Sequence, residues 1–287
     1  MLTKAQLQEI IGDSILLDGA TGSNLMLAGM PRGCCTEQWV LENPNALIQL
    51  QRAYAEAGSG IIYAPTFQAQ PIALERVGLD KETEQVNARL IALSREAAPK
   101  ALIAGDITTL SAFCDTGDPA NFDLMVANYR RQIRGLMDGG ADLLAAETLV
   151  YPQDAEAILT AAELENAGAV IYSFTMQSGG ILYSGADAGP VLKELEDAGA
   201  AAVGFNCVAA DMMTPYLVSK LRRYVKGPVL CKPNAGNPVI GNDGIARYDM
   251  AEEDFAKIVK ECKEMGAKLL GGCCGTNPKH IAALKNI

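Results

Sequence analysis

The chain reads as a single α/β domain folded as a (β/α)8 TIM barrel. Two observations predict this. Eight short apolar runs recur along the 287 residues. Their spacing of about 25–45 residues is that of a strand plus a returning helix in a parallel sheet. Amphipathic stretches fill the gaps, and several stop at a glycine that leads into the next run: Gly58, Gly140, Gly168, Gly199 and Gly266. A hydrophobic content of 49% over this length is ample for one large core. No linker or low-complexity stretch divides the chain, so residues 1–287 form one domain. The runner-up is an open doubly wound sheet. It wants Gly-x-Gly-x-x-Gly after the first strand, and Asp18-Gly19-Ala20-Thr21-Gly22-Ser23 lacks that spacing.

Taken in order, the predicted strands are 15–17, 61–63, 101–103, 143–145, 170–172, 202–204, 228–230 and 268–270. The predicted helices are 46–57, 82–98, 123–138, 154–166, 191–198, 214–224, 252–265 and 278–285. Trp39, after Thr36-Glu37, begins a further packing helix.

Lysine plus arginine number 24 against 34 aspartates and glutamates, a net charge of -10. An acidic chain without a basic run is a poor nucleic-acid binder. No apolar run reaches the ~18 residues of a transmembrane helix. The first residues lack the basic-then-apolar pattern of a signal peptide. The expectation is a soluble cytoplasmic protein with no membrane partner. Eight cysteines without an export signal favour free thiols and metal over disulfides.

In a barrel of this class the active site lies at the C-terminal strand ends. The polar residues there are Asp18, Thr66, Asp106, Glu147, Thr175, Asn206 with Cys207, Lys232 with Asn234, and Cys273 with Cys274. Gly271-Gly272-Cys273-Cys274-Gly275-Thr276 puts two thiols in a glycine-flanked turn after strand eight. Cys207 ends strand six. Three thiols at strand ends, with one histidine in the chain, point to zinc held by three sulfurs with its fourth position open, the mark of a catalytic site. A closed structural zinc site would need a fourth ligand, and the sequence offers no convincing one. The remaining cysteines carry no assigned chemistry. Cys34-Cys35 sits on a loop after strand one, Cys114 and Cys231 are packing residues, and Cys262 lies on a helix. His280 reads as a surface residue in the first turn of the last helix.

Four segments carry a resemblance: Asp18-Gly19-Ala20-Thr21-Gly22, Gly204-Phe205-Asn206-Cys207, Pro233-Asn234-Ala235-Gly236 and Gly271-Gly272-Cys273-Cys274-Gly275-Thr276. Together they resemble the homocysteine S-methyltransferase family, from about Leu17 to Leu284. The likeness is strongest to the homocysteine-binding module of cobalamin-dependent methionine synthase. One departure is Pro65-Thr66-Phe67, where the family pattern has Asn-Thr-Phe. The resemblance implies a zinc-dependent methyltransferase that makes methionine from homocysteine. Cys207, Cys273 and Cys274 would hold the zinc, homocysteine sulfur would take the fourth position, and Asn234 would fill it weakly without substrate. The substrate ammonium would go to Glu147 and Asp18, and its carboxylate to the turn Gly19-Ala20-Thr21-Gly22. Thr66 and Asn206 would complete the pocket. The chain ends at Ile287, so a methylcobalamin or other methyl-corrinoid donor is expected on a separate protein. S-methylmethionine or S-adenosylmethionine is the second choice of donor, and a methylamine such as betaine the third. A reading from another class is a non-catalytic thiol-binding subunit of a corrinoid system.

Overall fold

The computed structural model describes residues 1–177, 179–241 and 246–287. Eight strands pair in parallel: β1 (Ile15–Leu16), β2 (Ile61–Tyr63), β3 (Leu102–Ile107), β4 (Leu143–Leu149), β5 (Val170–Phe174), β6 (Ala202–Ala209), β7 (Val229–Asn234) and β10 (Ala267–Leu270). Their order around the ring is β1-β10-β7-β6-β5-β4-β3-β2. A parallel bridge from Leu17 to Ile61 joins the first strand to the second and completes the ring. All eight overlap the predicted runs, and the fold is a TIM barrel. A short antiparallel hairpin, β8 (Val239–Ile240) with β9 (Ala246–Arg247), follows β7. The sequence reading has no element there, because two-residue strands leave no periodic signal.

Eight helices match the predicted ones: α4 (Pro44–Glu56), α6 (Thr83–Ala97), α7 (Phe122–Asp138), α8 (Pro152–Leu164), α9 (Ala188–Asp197), α10 (Thr214–Leu221), α11 (Glu252–Glu264) and α12 (Pro278–Ala283). They pack against the outward faces of the strands. Helix α9 starts earlier than its apolar pattern because Asp187 caps it, accepting from the Gly189 amide at 2.9 Å. The short helices α2 (Gly22–Leu27), α3 (Thr36–Glu42) and α5 (Pro71–Leu74) belong to the loops after β1 and β2. Trp39 lies in α3, as expected.

Helix α1 (Lys4–Ile11) was not foreseen. Thr3 and Gln6 form a capping box at its start. Its buried Leu7 and Ile11 join Leu17, Ile61, Leu143, Ile171, Leu230 and Leu269 in the barrel interior. Gln8 Nε2 donates to Ala201 O at 3.0 Å. Helix α1 therefore closes the N-terminal end of the barrel.

Side chains alternate along a strand, so each inward residue predicts the next one two places on. Ala104 leads to Asp106, Ala145 to Glu147, and Leu230 to Lys232. Interior packing below thus determines which polar groups meet above. No helix among the described residues is long and apolar enough to cross a membrane.

Gly204 on β6 is forced by proximity. An added Cβ would lie 2.0 Å from Leu230 O and 2.7 Å from Leu230 N. A Cβ at Gly22, the first residue of α2, meets nothing within 4 Å. Gly204→Ala should lower stability by about 3 kcal/mol in urea unfolding. Gly22→Ala should be neutral or gain a few tenths of a kcal/mol. Equal effects would contradict this packing.

Candidate metal centre and substrate cavity

The three sulfurs come from neighbouring parts of the ring. Strand β6 shifts register between Asn206 and Ala209, and Cys207 within that irregularity has φ +55°. A non-glycine residue there costs of order 1–3 kcal/mol, so the surroundings must impose it. Beyond β10 the chain crosses to the cavity through Gly272, where an added Cβ would meet Thr276 Oγ1 at 2.4 Å. The Cys273 amide donates to Pro233 O (2.7 Å) and the Ala235 amide to Cys274 O (2.9 Å), which binds the turn to the end of β7. Gly275 closes the turn at φ +79°.

The Sγ atoms of Cys207, Cys273 and Cys274 lie within 4.8 Å of one another. Cys207 and Cys274 are 3.9 Å apart. Sulfurs bound tetrahedrally to zinc at ~2.3 Å would be about 3.8 Å apart, so the soft donors present fit that ion. Among the described residues no other group of His, Cys, Asp and Glu gathers this way. All eight cysteines are free thiols. Donation from the Cys207 and then the Cys273 thiol pulls Cys274 down to about 3. The same contacts push Cys207 far above its ordinary range. The cluster holds one negative charge easily and resists a second, which a cation would relieve.

A cavity of about 260 Å3 adjoins the cluster. Buried Lys232 dominates its floor. Its Nζ lies 3.1 Å from Glu147 Oε2, 3.6 Å from Asp18 Oδ1 and 4.4 Å above the Tyr63 ring. Burial alone would lower its pKa, but Glu147 and Asp18 hold it well above the usual lysine value. One lysine faces three buried carboxyls, since Asp106 also lines the cavity. Burial and the nearby Glu147 push Asp106 well up, and its Oδ1 has no hydrogen-bond partner. Burial also raises Glu147, against the pull of Lys232. The floor thus carries more buried carboxyls than cationic side chains.

The homocysteine S-methyltransferase family model matches residues 15–287. The chain belongs to this family. It is 27% identical to the homocysteine S-methyltransferase of Escherichia coli, over 95% of this chain and 94% of that protein. It is 27% identical to the methionine synthase of Mycobacterium tuberculosis over its whole length, yet spans only 26% of that protein. The crystal structure of the E. coli homocysteine methyltransferase MmuM in its oxidized form superposes with a TM-score of 0.83 at 25% identity, covering 99% of both chains. The metallated form of the same protein gives 0.82 at 26%, again over 99% of both.

Within this family frame the predicted site residues divide. Gly19, Ala20, Thr21, Glu147 and the three cysteines line the cavity. Asp18 does not. It is fully buried behind Lys232, with its Oδ2 accepting from the Tyr63 amide at 2.8 Å. Thr66 is also absent from the wall. Its hydroxyl donates to Asp106 O (2.8 Å) and accepts from the Asp106 amide (2.9 Å), so it clamps β2 to β3 beneath the cavity. The flanking Pro65 and Phe67 are the wall residues. Asn206 is fully buried. Its Oδ1 accepts from the Thr148 amide (2.8 Å) and Ser173 Oγ (3.0 Å). Its Nδ2 donates to Thr148 Oγ1 (2.7 Å) and lies 3.4 Å from Glu147 Oε2 and 3.8 Å from Cys273 Sγ. Thr148 is a β-branched residue at φ +57°, held there by this amide. Asn234 lines a neighbouring cavity of about 320 Å3 that shares Cys207, and its buried Oδ1 is unpartnered.

Several contributors went unassigned in the sequence. Lys232 and Asp106 stood among the strand-end residues without a role. The alternation above Leu230 and Ala104 was the available signal. Glu37 on α3 is buried in the wall, accepting from the Gln68 amide at 2.7 Å. Cys35 donates to it at 3.3 Å, and burial pushes that thiol up to about 11, so Cys35 is a packing group. Cys34 donates to Pro31 O and stays apart from the three-sulfur cluster. His280 is a correction. It is buried rather than at the surface, edge-on to Phe255 at 5.4 Å between ring centres.

Burial pushes Asp18 from 3.8 to about 7, against the attraction of Lys232. The folded chain therefore holds this proton more tightly than the unfolded one. Stability from this group is complete below the unfolded value and is lost as pH rises to about 7. Asp18→Asn should flatten the urea midpoint over that range, whereas an unchanged slope would contradict the assignment.

Proposed function

We propose that this protein methylates the thiol of homocysteine to give methionine, using zinc held by Cys207, Cys273 and Cys274. The observation that carries the reading is the convergence of three sulfurs on a cavity whose floor is acidic. Zinc bound there would supply the Lewis acidity that keeps a thiol deprotonated at neutral pH. Free thiols of this kind have a pKa of ~8.5 and are only slightly ionised at pH 7.

The chain's own residues position the amino acid. Glu147 and Asp106 take the ammonium group, since both face the cavity and Asp106 Oδ1 is free to accept. Lys232, 3.1 Å from Glu147 Oε2, favours the ionised form of Glu147 against its burial, and Asp18 holds Lys232 from behind. The turn Gly19-Ala20-Thr21-Gly22 receives the carboxylate through its later amides, because the Ala20 amide already donates to Thr276 Oγ1 at 3.1 Å. Thr66 acts beneath the cavity by fixing Asp106, and Asn206 orients Glu147 and Thr148. Asn234 approaches the cluster from the adjacent cavity and is the protein group nearest in character to a weak fourth ligand.

A methyl-corrinoid on a separate protein is the first choice of donor, supported by the full-length match to a quarter of a methionine synthase. A small sulfonium donor is the second. Its support is the near end-to-end match to the E. coli homocysteine S-methyltransferase. A betaine-like donor fits less well, because Lys232 already covers the Tyr63 face in the cavity. The free thiols suit a reducing cytoplasm.

The test is zinc content followed by methionine formation from homocysteine with methylcobalamin, S-methylmethionine and S-adenosylmethionine in parallel. About one zinc per chain is expected, with turnover lost in Cys273→Ser. Glu147→Gln should retain zinc but lose roughly tenfold to a hundredfold in kcat/KM for homocysteine, the cost of a charged hydrogen bond. Zinc without turnover on any donor, including a methyl-corrinoid protein, would favour the non-catalytic thiol-binding reading. Failure to bind zinc under reducing conditions would sink the proposal.

A further inference from the structure

One polar group of the cavity floor has no task in the chemistry described so far. Tyr63 ends β2, and its side chain packs in the barrel interior with Leu17, Ile61 and Ala104. It is buried and lines the cavity together with Asp106, Glu147 and Lys232. Its hydroxyl has no hydrogen-bond partner. Buried hydroxyls are nearly always paired, so one left open at a cavity marks a place for a ligand atom.

Tyr63 is held firmly, so the open hydroxyl is not slack in the packing. Its amide donates to Asp18 Oδ2 at 2.8 Å, and its carbonyl accepts from Gln51 Nε2 at 2.9 Å. Lys232 Nζ stands over the ring, 4.4 Å from its centre. That ammonium meets the ring face rather than the hydroxyl. It donates to Glu147 Oε2 at 3.1 Å and lies 3.6 Å from Asp18 Oδ1. The cation of the floor thus leaves the phenol oxygen open.

Three consecutive strands of the ring supply three acceptors to the floor: Tyr63 from β2, Asp106 from β3 and Glu147 from β4. Asp106 Oδ1 is unpartnered as well. A primary ammonium carries three N–H groups, and a phenol oxygen can accept one of them. Two carboxylates and one phenol therefore match it donor for acceptor. A thiol without an amino group would leave all three unpaired, and a buried site built for an N–H rejects the analogue that lacks it.

We propose that Tyr63 is a specificity-determining residue. Its hydroxyl accepts from the third N–H of the substrate ammonium, beside Asp106 and Glu147, so the cavity selects amino-acid thiols over simple ones. The inference rests on the homocysteine reading of the preceding section.

The test is calorimetric binding to the protein supplied with zinc, which needs no methyl donor. Homocysteine is compared with 4-mercaptobutanoate, the same thiol acid without its amino group, in wild type and Tyr63→Phe. Thermal melting without ligand checks the fold. Tyr63→Phe should bind homocysteine about tenfold more weakly, the lower end for one hydrogen bond to a charged group. It should bind 4-mercaptobutanoate as wild type does. Its unliganded melting temperature should not fall, because the hydroxyl it lacks is unpaired there. Equal homocysteine affinity in the two proteins would overturn the role of Tyr63 and leave the homocysteine reading intact. Equal weakening of both thiols, or a lower melting temperature, would make the hydroxyl part of the packing and overturn it too. Wild type that binds homocysteine no better than 4-mercaptobutanoate would overturn the ammonium assignment. Wild type that binds neither would overturn the homocysteine reading, and the inference falls with either.

Discussion

The parallel pairing of β6, β7 and β10 is the constraint on which the site depends. These strands are consecutive in the ring, so their C-terminal ends are neighbours although the residues are 67 positions apart in sequence. Two backbone hydrogen bonds, from Cys273 to Pro233 and from Ala235 to Cys274, bind the cysteine turn to the middle strand. The left-handed backbone at Cys207 then brings the third sulfur in. A cluster built this way inherits the rigidity of the barrel rather than that of a loop. The helix α1 that seals the opposite end keeps the inner layers packed, and the inner layers decide which side chains reach the cavity.

The second feature is an imbalance of charge. Asp18, Asp106 and Glu147 surround one lysine in a buried space. A buried ion pair is weak evidence for stability, because desolvation offsets much of the attraction. An arrangement with more carboxyls than cations is costlier still: burial raises all three acids, and neighbouring carboxyls push Asp106 and Asp18 further in the same direction. Functional sites retain such costs when a ligand relieves them. In the proposed reading the ammonium group of the amino acid relieves this excess, and the sulfur cluster lies on the same cavity wall.

Much of this was legible in the sequence. The eight strands were visible because a parallel strand buried on both faces reads as a short apolar run. The three cysteines were visible because glycines and strand ends placed them together. Lys232 and Asp106 were harder. Their positions follow from the inward register, which the runs suggest only once Leu230 and Ala104 are known to face inside. Asp18 and Thr66 sit at strand ends as expected, yet both serve the cavity from behind its wall. That distinction depends on which way a side chain points past the end of the strand, where alternation no longer holds. His280 was misread because a polar residue in a helix's first turn usually faces water. Here Phe255 and the Met250 carbonyl enclose it.

The central claim is that these three sulfurs hold one metal and present it to a thiol substrate. Zinc K-edge X-ray absorption on the zinc-loaded protein tests it most directly. The account predicts three sulfur neighbours at about 2.3 Å, and a fourth when homocysteine is added. A first shell of nitrogen and oxygen, or a shell that homocysteine leaves unchanged, would contradict it.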